Sequence, residues 1–452
     1  MYKKTADNIK KILKKNKNIY LAANIIRNIF NGKYFKFILS CISVYVKGKE
    51  LISDMNGGLL RIRITNKCNA KCRYCGIQFW TEENRNKTMD SKILYEYCKP
   101  LYENIKIILL TGGDPLIAKE SFNYCKFISD NYPQVTVMLE SNGIAFDNKW
   151  QNLAMNNLIR THFSINASDE YVYEKGCWPS DEGKNAYVKA EENIKTYIKL
   201  LKDNGLEMFA PSFSMVVNKD TAPDVRAFIK KSLSLDAQYS MFYFDYTEND
   251  MSSDYFGCPE ISRSVLEELM KIERVLAKKF FVYFRLWIPL KESEIIQKKV
   301  ESLPIEKLQS EYSDLIDLAK DRSMEEEYKK RQEIRKIKGK KEFTFEEDWT
   351  PTIRQTEKNN KKVCFAPFKE LDIYPNGDVE CCGWMTPRMK IDSFVKNNSI
   401  DWNKFFNSFK MKIIRNDMLN DNFNLCMKCC PLNPVYHSVC SPHQYGYDRI
   451  QK

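Results

Sequence analysis

From Leu59 onward the chain switches between two spacings of its apolar residues. In LLRIRIT, from Leu59 to Thr65, apolar and polar residues alternate, which is the period of a half-buried strand. IKIILL (Ile105–Leu110), VTVML (Val135–Leu139), HFSIN (His162–Asn166), FSMVV (Phe213–Val217) and YSMFYFDY (Tyr239–Tyr246) read as five more strands. Helical spacing fills the intervals: Ser91–Tyr102 behind an Asp90 cap, Ala186–Asp203 ending at Gly205, and Pro223–Leu233. Six strand–helix units predict an α/β fold, a parallel sheet curled into a partial (β/α)6 TIM-like barrel. Active sites on such folds lie at the C-terminal strand ends.

Beyond the barrel the pattern changes. KESEIIQKKVESLPIEKLQSEY and SMEEEYKKRQEIRKIKGKKEF are densely charged with sparse apolar positions, which predicts a solvated helical connector. A last region carries Pro375-Asn376-Gly377-Asp378 between alternating runs, a short-hairpin signal. The expected organisation is therefore a basic helical N-terminal extension over 1–57 and a barrel over 58–290. A helical connector over 291–355 and a small C-terminal α+β domain over 356–452 complete it.

Composition narrows the class. Of 452 residues 43% are hydrophobic and 13% aromatic, as in folded proteins. The net charge of +12 is concentrated in residues 1–50, where twelve Lys or Arg face only Asp7 and Glu50. Such a segment packs as a solvated helical extension or lies weakly on an anionic membrane surface or a partner. The remainder is nearly balanced and shows no nucleic-acid reader motif, so no nucleic-acid partner is expected. The start lacks a signal-peptide core, and the longest early apolar run, FILSCISVYV, is about half the ~20 residues of a membrane span. The expected compartment is the cytoplasm.

Fifteen cysteines are many for a cytoplasmic chain. Cys41, Cys98, Cys125, Cys177 and Cys258 are scattered, as free core thiols are. CNAKCRYC, by contrast, places Cys68, Cys72 and Cys75 in the loop after the first strand, with Tyr74 before the last. Three local thiolates with no fourth nearby suit an iron–sulfur cluster with one open iron better than a four-ligand structural zinc. The next strand tips are polar: LTGGDPL with Gly112, Gly113 and Asp114, then ESNG from Glu140 to Gly143, then Ser164 and Asn166. All would converge on one barrel mouth.

Together these residues resemble the radical S-adenosylmethionine superfamily: CNAKCRYC resembles its cluster loop, and GGD its usual GGE with a carboxylate one methylene shorter. The resemblance runs roughly from Leu59 to Phe284. It implies a 4Fe–4S cluster on Cys68, Cys72 and Cys75 that binds S-adenosylmethionine. Gly112, Gly113 and Asp114 would hold the methionine amino end, with Ser141, Asn142, Ser164 and Asn166 as further cofactor contacts. Reductive cleavage would yield a deoxyadenosyl radical that abstracts a substrate hydrogen, with flavodoxin or ferredoxin as electron donor. No catalytic acid or base is forced.

Cys364, NGDVECC and a late CMKC resemble the SPASM and twitch domains that follow such barrels. That likeness implies one auxiliary 4Fe–4S cluster on Cys364, Cys382, Cys426 and Cys429; zinc there is the alternative. The roles of Cys381, Cys430 and Cys440 stay open. His162 is expected in the barrel wall, and His437 and His443 at the surface. The implied enzyme is oxidoreductase-like, oxidising a small alcohol or sugar. Its rivals are a maturase acting on a ribosomally made peptide and, from another class, an iron–sulfur electron carrier or a zinc-stabilised binding protein.

Overall fold

In the computed structural model, residues 42–46, 55, 57–79, 81–244, 259–286, 290–343, 355–358, 361–364, 369–381, 389–396, 399–419 and 439–440 are described. The six expected strands form, with shifted ends: β1 (Leu59–Thr65), β2 (Ile107–Gly112), β3 (Thr136–Ser141), β4 (Arg160–Phe163), β5 (Ser212–Val217) and β6 (Tyr239–Phe244). A seventh, β7 (Phe281–Leu286), extends the series. Each pairs in parallel with the next, in sequence order. Among the described residues β1 and β7 do not pair with each other, so the barrel stays partial.

Helices α1 (Lys119–Asn131), α2 (Asn148–Asn156), α3 (Glu170–Gly176), α4 (Asp181–Asp203), α5 (Val225–Ser234) and α6 (Pro259–Val275) fill the crossovers. The longest, α4, starts where the Ser180 hydroxyl accepts from Gly183 N–H. It stops before Gly205, whose φ of +66° ends the helix at little cost. Tyr187, Ala190, Ile194, Tyr197, Ile198 and Leu201 recur at helical spacing on its buried face. Ile194, Tyr197, Ile198 and Leu201 join Ile62, Leu110, Leu139, Phe213 and Phe242, the outward strand residues, in the main core, while Tyr187 packs with Tyr173 and Trp178 in a smaller cluster.

The charged connector differs from expectation. Its helices α7 (Leu290–Glu301), α8 (Ile305–Glu311), α9 (Ser313–Leu318) and α10 (Met324–Ile337) wrap the barrel rather than stand off in solvent. Met324 packs on Tyr239, Phe281 and Tyr283, and Phe343 on Leu59, Ile107, Leu109 and Met138. Most of those partners stand at the beginnings of strands, so the connector closes the N-terminal end of the barrel. Arg331 is buried and donates to Met208 C=O at 3.0 Å. Sparse apolar positions conceal this packing because long cationic side chains bury their stems.

The C-terminal region continues the same sheet. A separate hairpin, β8 (Gln355–Lys358) and β9 (Lys361–Cys364), precedes it. β10 (Glu370–Ile373) pairs in parallel with β1, and β11 (Asp378–Glu380) returns antiparallel through the predicted turn, with Gly377 at φ +76°. Buried Asp372 receives Arg61 through two contacts of 3.0 and 3.1 Å. At the other edge, Val439–Cys440 pairs antiparallel with β7. Of the N-terminal extension, a helix over 42–46 and residues 55 and 57 are described; Ser43 Oγ donates to Asn416 Oδ1 at 2.6 Å. Among the described residues no helix is long and apolar enough to cross a membrane.

Candidate cluster and cofactor site

The cysteine loop leaves the end of β1 and is held against the tip of β2 by two backbone bonds. Gly113 N–H donates to Thr65 C=O at 2.6 Å, and Asp114 N–H to Lys67 C=O at 2.7 Å. This approach is why glycines stand there: a Cβ on Gly112 would lie 2.2 Å from Thr65 O, and one on Gly113 2.0 Å from Lys67 O. Gly112 also has φ +139°. The glycines admit the cysteine loop itself, a demand the sequence reading had assigned to a ligand.

Asp114 is fully buried and its carboxylate serves the protein. Oδ1 accepts from Leu116 N–H at 2.9 Å, while Oδ2 accepts from Ser141 Oγ at 2.8 Å and Asn142 N–H at 2.9 Å. Burial raises its pKa and these three donors pull it back. The side chain thus clamps the tip of β3 to β2. Asn142 in turn donates to Asn69 Oδ1 at 2.7 Å and reaches Cys68 Sγ at 3.7 Å.

Donors surround the sulfurs. Ala70 N–H points at Cys68 Sγ at 3.4 Å, Tyr173 Oη lies 3.9 Å from Cys72 Sγ, and Ile77 N–H faces Cys75. Burial pushes the Cys68 thiol up to about 12, Cys72 to about 11, and Cys75 upward as well. A cationic metal group is what stabilises thiolates in such a place, and sulfur-directed donors suit an iron–sulfur cluster. Among the described residues no three His, Cys, Asp or Glu side chains could hold a single metal ion. Three partly buried thiols with donors aimed at their sulfurs fit an iron–sulfur cluster.

Ser164 and Asn166 stand on the next strand tip. Ser164 Oγ meets Ser214 Oγ at 3.1 Å. Asn166, at φ +58°, accepts from Val216 N–H at 2.9 Å and donates to Ser164 C=O at 2.9 Å, so its amide braces β4 against β5. His162 is buried in the wall, Nδ1 2.8 Å from Ser212 Oγ, with its pKa lowered by burial.

Two residues, Tyr173 and Cys177, escaped the sequence reading of the site, and a third, Glu140, stood there only as part of the polar ESNG tip. Glu140, not Ser141, turns toward the barrel interior: it is partly exposed, and its register partner is His162. Arg61, Arg63, Ser164, Met241 and Tyr243 are among the other partly exposed positions of that alternating face, and they outline an accessible interior. Strict alternation along TVMLES could have found Glu140. Tyr173 and Cys177 come from α3 and its end, about a hundred residues beyond the loop, with no local signal. Cys177 C=O accepts from Arg73 N–H at 2.9 Å, and Tyr74 packs with Tyr173, Cys177 and Trp178.

The auxiliary set is only partly in view. Cys364 ends β9, while Cys382, Cys426, Cys429 and Cys430, with His437 and His443, lie outside the described residues. Cys381 is buried, and Cys440 pairs with β7.

Residues 62–231, which include the cysteine loop and five strands, match the sequence model described as Radical SAM superfamily. Those residues form a radical SAM domain. The chain is 32% identical over 114 residues to GTP 3',8-cyclase of Campylobacter curvus, a stretch covering 25% of this chain and 35% of that protein. The chain thus spans about a third of the length of that relative. A probable GTP 3',8-cyclase of Methanocaldococcus jannaschii is 25% identical over 223 residues, 49% of this chain and 69% of its own. In fold, the chain is similar to Streptococcus suis SuiB crystallised with S-adenosylmethionine. That likeness has a TM-score of 0.50 at 11% identity and covers 85% of this chain and 74% of SuiB.

Proposed function

We propose that the protein reductively cleaves S-adenosylmethionine and abstracts a hydrogen atom from a small alcohol or sugar, which leaves oxidised. The observation that carries this reading is the convergence of Cys68, Cys72 and Cys75 with the Gly112–Gly113 tip above an accessible, polar barrel interior. A 4Fe–4S cluster on those cysteines would supply the electron that breaks the carbon–sulfur bond, and a second on Cys364, Cys382, Cys426 and Cys429 would accept the electron left on the substrate. Because both Asp114 oxygens are engaged, the methionine amino end would meet the strand-tip backbone of Gly112 and Gly113.

Oxidation of a carbinol releases a hydrogen atom to the deoxyadenosyl radical, one electron to the acceptor and one proton from the hydroxyl. Glu140 is the carboxylate on the interior wall in place to take that proton. Its neighbour His162 has its pKa lowered by burial.

The test is anaerobic turnover with dithionite, S-adenosylmethionine and a panel of carbinol-deuterated polyols, with GTP alongside. Deuterium in deoxyadenosine together with a carbonyl product supports the reading. Transfer from GTP, or only from a peptide, overturns the alcohol assignment while keeping the radical chemistry. Deoxyadenosine formed at an undiminished rate after Cys68, Cys72 and Cys75 are all changed to alanine overturns the whole.

A further inference from the structure

The three thiols of the loop have unequal surroundings. Cys68 is approached by a backbone N–H and the Asn142 amide, and Cys75 by a backbone N–H. Cys72 faces the hydroxyl of Tyr173, whose Oη lies 3.9 Å from its sulfur. Tyr173 is 4% exposed and belongs to α3, an element remote in sequence from the loop.

Several contacts hold that hydroxyl in place. Asp169 caps α3, accepting from Tyr171 N–H and Val172 N–H at 2.9 Å each. The far end of α3 is tied to the loop beside Cys72 by the Arg73 N–H to Cys177 C=O bond, and Arg73 pairs with Asp220 at 2.5 Å. The Tyr173 ring packs on Tyr187 with centroids 5.4 Å apart. Tyr187 itself is fixed, donating to Ala167 C=O at 3.2 Å and accepting from Lys231 Nζ at 2.6 Å.

A donor aimed at a cluster sulfur draws charge from it and stabilises the reduced, more negative state, which raises the reduction potential. We propose that Tyr173 is a positioning residue that tunes the potential of the cluster on the loop through its hydroxyl on Cys72. This inference rests on the cluster reading above.

The experiment is redox potentiometry of the anaerobically reconstituted full chain at pH 7. It follows the electron paramagnetic resonance signal that changes when S-adenosylmethionine is added, which separates this cluster from any other. Tyr173→Phe keeps the ring packing and removes the donor, so the midpoint should move to more negative potential. 3-Fluorotyrosine at position 173 is a stronger donor and should move it the other way. Tyr171→Phe, on the same helix but 66% exposed, should leave it unchanged. A Tyr173→Phe midpoint equal to wild type, or both replacements shifting in the same direction, overturns the tuning. Should the phenylalanine variant fail to take up the cluster, the fluorotyrosine shift decides alone. Absence of any signal that S-adenosylmethionine perturbs in the wild type overturns the cluster reading itself.

Discussion

Replacing Asp114 tests whether the tip of β3 is held by a clamp or simply by its strand. Three donors end on this carboxylate, two of them backbone N–H groups that have nowhere else to turn. In Asp114→Ala all three lose their acceptor inside the protein, at about 1–3 kcal/mol each, so roughly 3–9 kcal/mol in sum. Asp114→Asn keeps the shape but offers one acceptor oxygen. Placing it where Oδ2 stands satisfies Ser141 and Asn142 and leaves Leu116 N–H against an amide N–H, a loss of about 1–3 kcal/mol. Burial of the charge works in the opposite direction, since desolvation raises the Asp114 pKa and both replacements remove that penalty. We expect the hydrogen bonds to win. Urea unfolding of the metal-free, reduced chain, followed through buried Trp150 and Trp178, should rank wild type above Asp114→Asn above Asp114→Ala. Asp114→Asn more stable than wild type, with Asp114→Ala within about 1 kcal/mol, would show that the charge penalty dominates and that no clamp exists.

Gly113→Ala should abolish cluster binding at the barrel, because its methyl would sit 2.0 Å from Lys67 O; iron analysis should find only the auxiliary complement. Reconstituted wild type should hold ~8 Fe per chain, and replacing Cys426 and Cys429 with alanine should remove ~4 while uncoupled cleavage to deoxyadenosine survives. Zinc bound there with turnover intact would refute the auxiliary cluster. His162 has a lowered pKa in the folded chain, so unfolded protein binds a proton that native protein does not. Its contribution is fully present above the unfolded value of about 6.5 and is lost as pH falls from there through the folded pKa. Urea midpoints measured across that window should fall less steeply for His162→Gln; an unchanged slope would count against a neutral buried imidazole.

Much of the barrel was legible because two periods coexist in it. Leu60, Ile62 and Ile64 face helices while Arg61 and Arg63 face the interior, and that alternation is written in LLRIRIT. Strand ends were misplaced by a few residues where apolar runs extend into turns, as at Ile105, which is buried yet precedes β2. The helix expected over Ser91–Tyr102 breaks into a π-turn over Ile93–Tyr97 and a 3-10 turn over Lys99–Leu101. Pro100, which has no N–H, cannot continue an α-helical ladder there. The cysteine loop stood out in the sequence since its three cysteines are local. What the polar residues at the strand tips bind was not, because Asp114, Ser141 and Asn166 are spent on one another's strands. Tyr173 beside Cys72 is a product of tertiary packing that no window of the sequence contains.

The pairing of β10 with β1 makes the strand that leads into the cysteine loop an interior strand rather than an edge. Were the chain to end after the connector, β1 would present a row of unpaired backbone groups, and Arg61 would lose the carboxylate that neutralises it. Such a rim is a template for another copy's strand. The C-terminal region is therefore no detachable cap: it covers an edge that would otherwise invite self-association. Exchanging it for another would succeed only where the incoming segment brings a parallel strand with an acid in the register of Asp372.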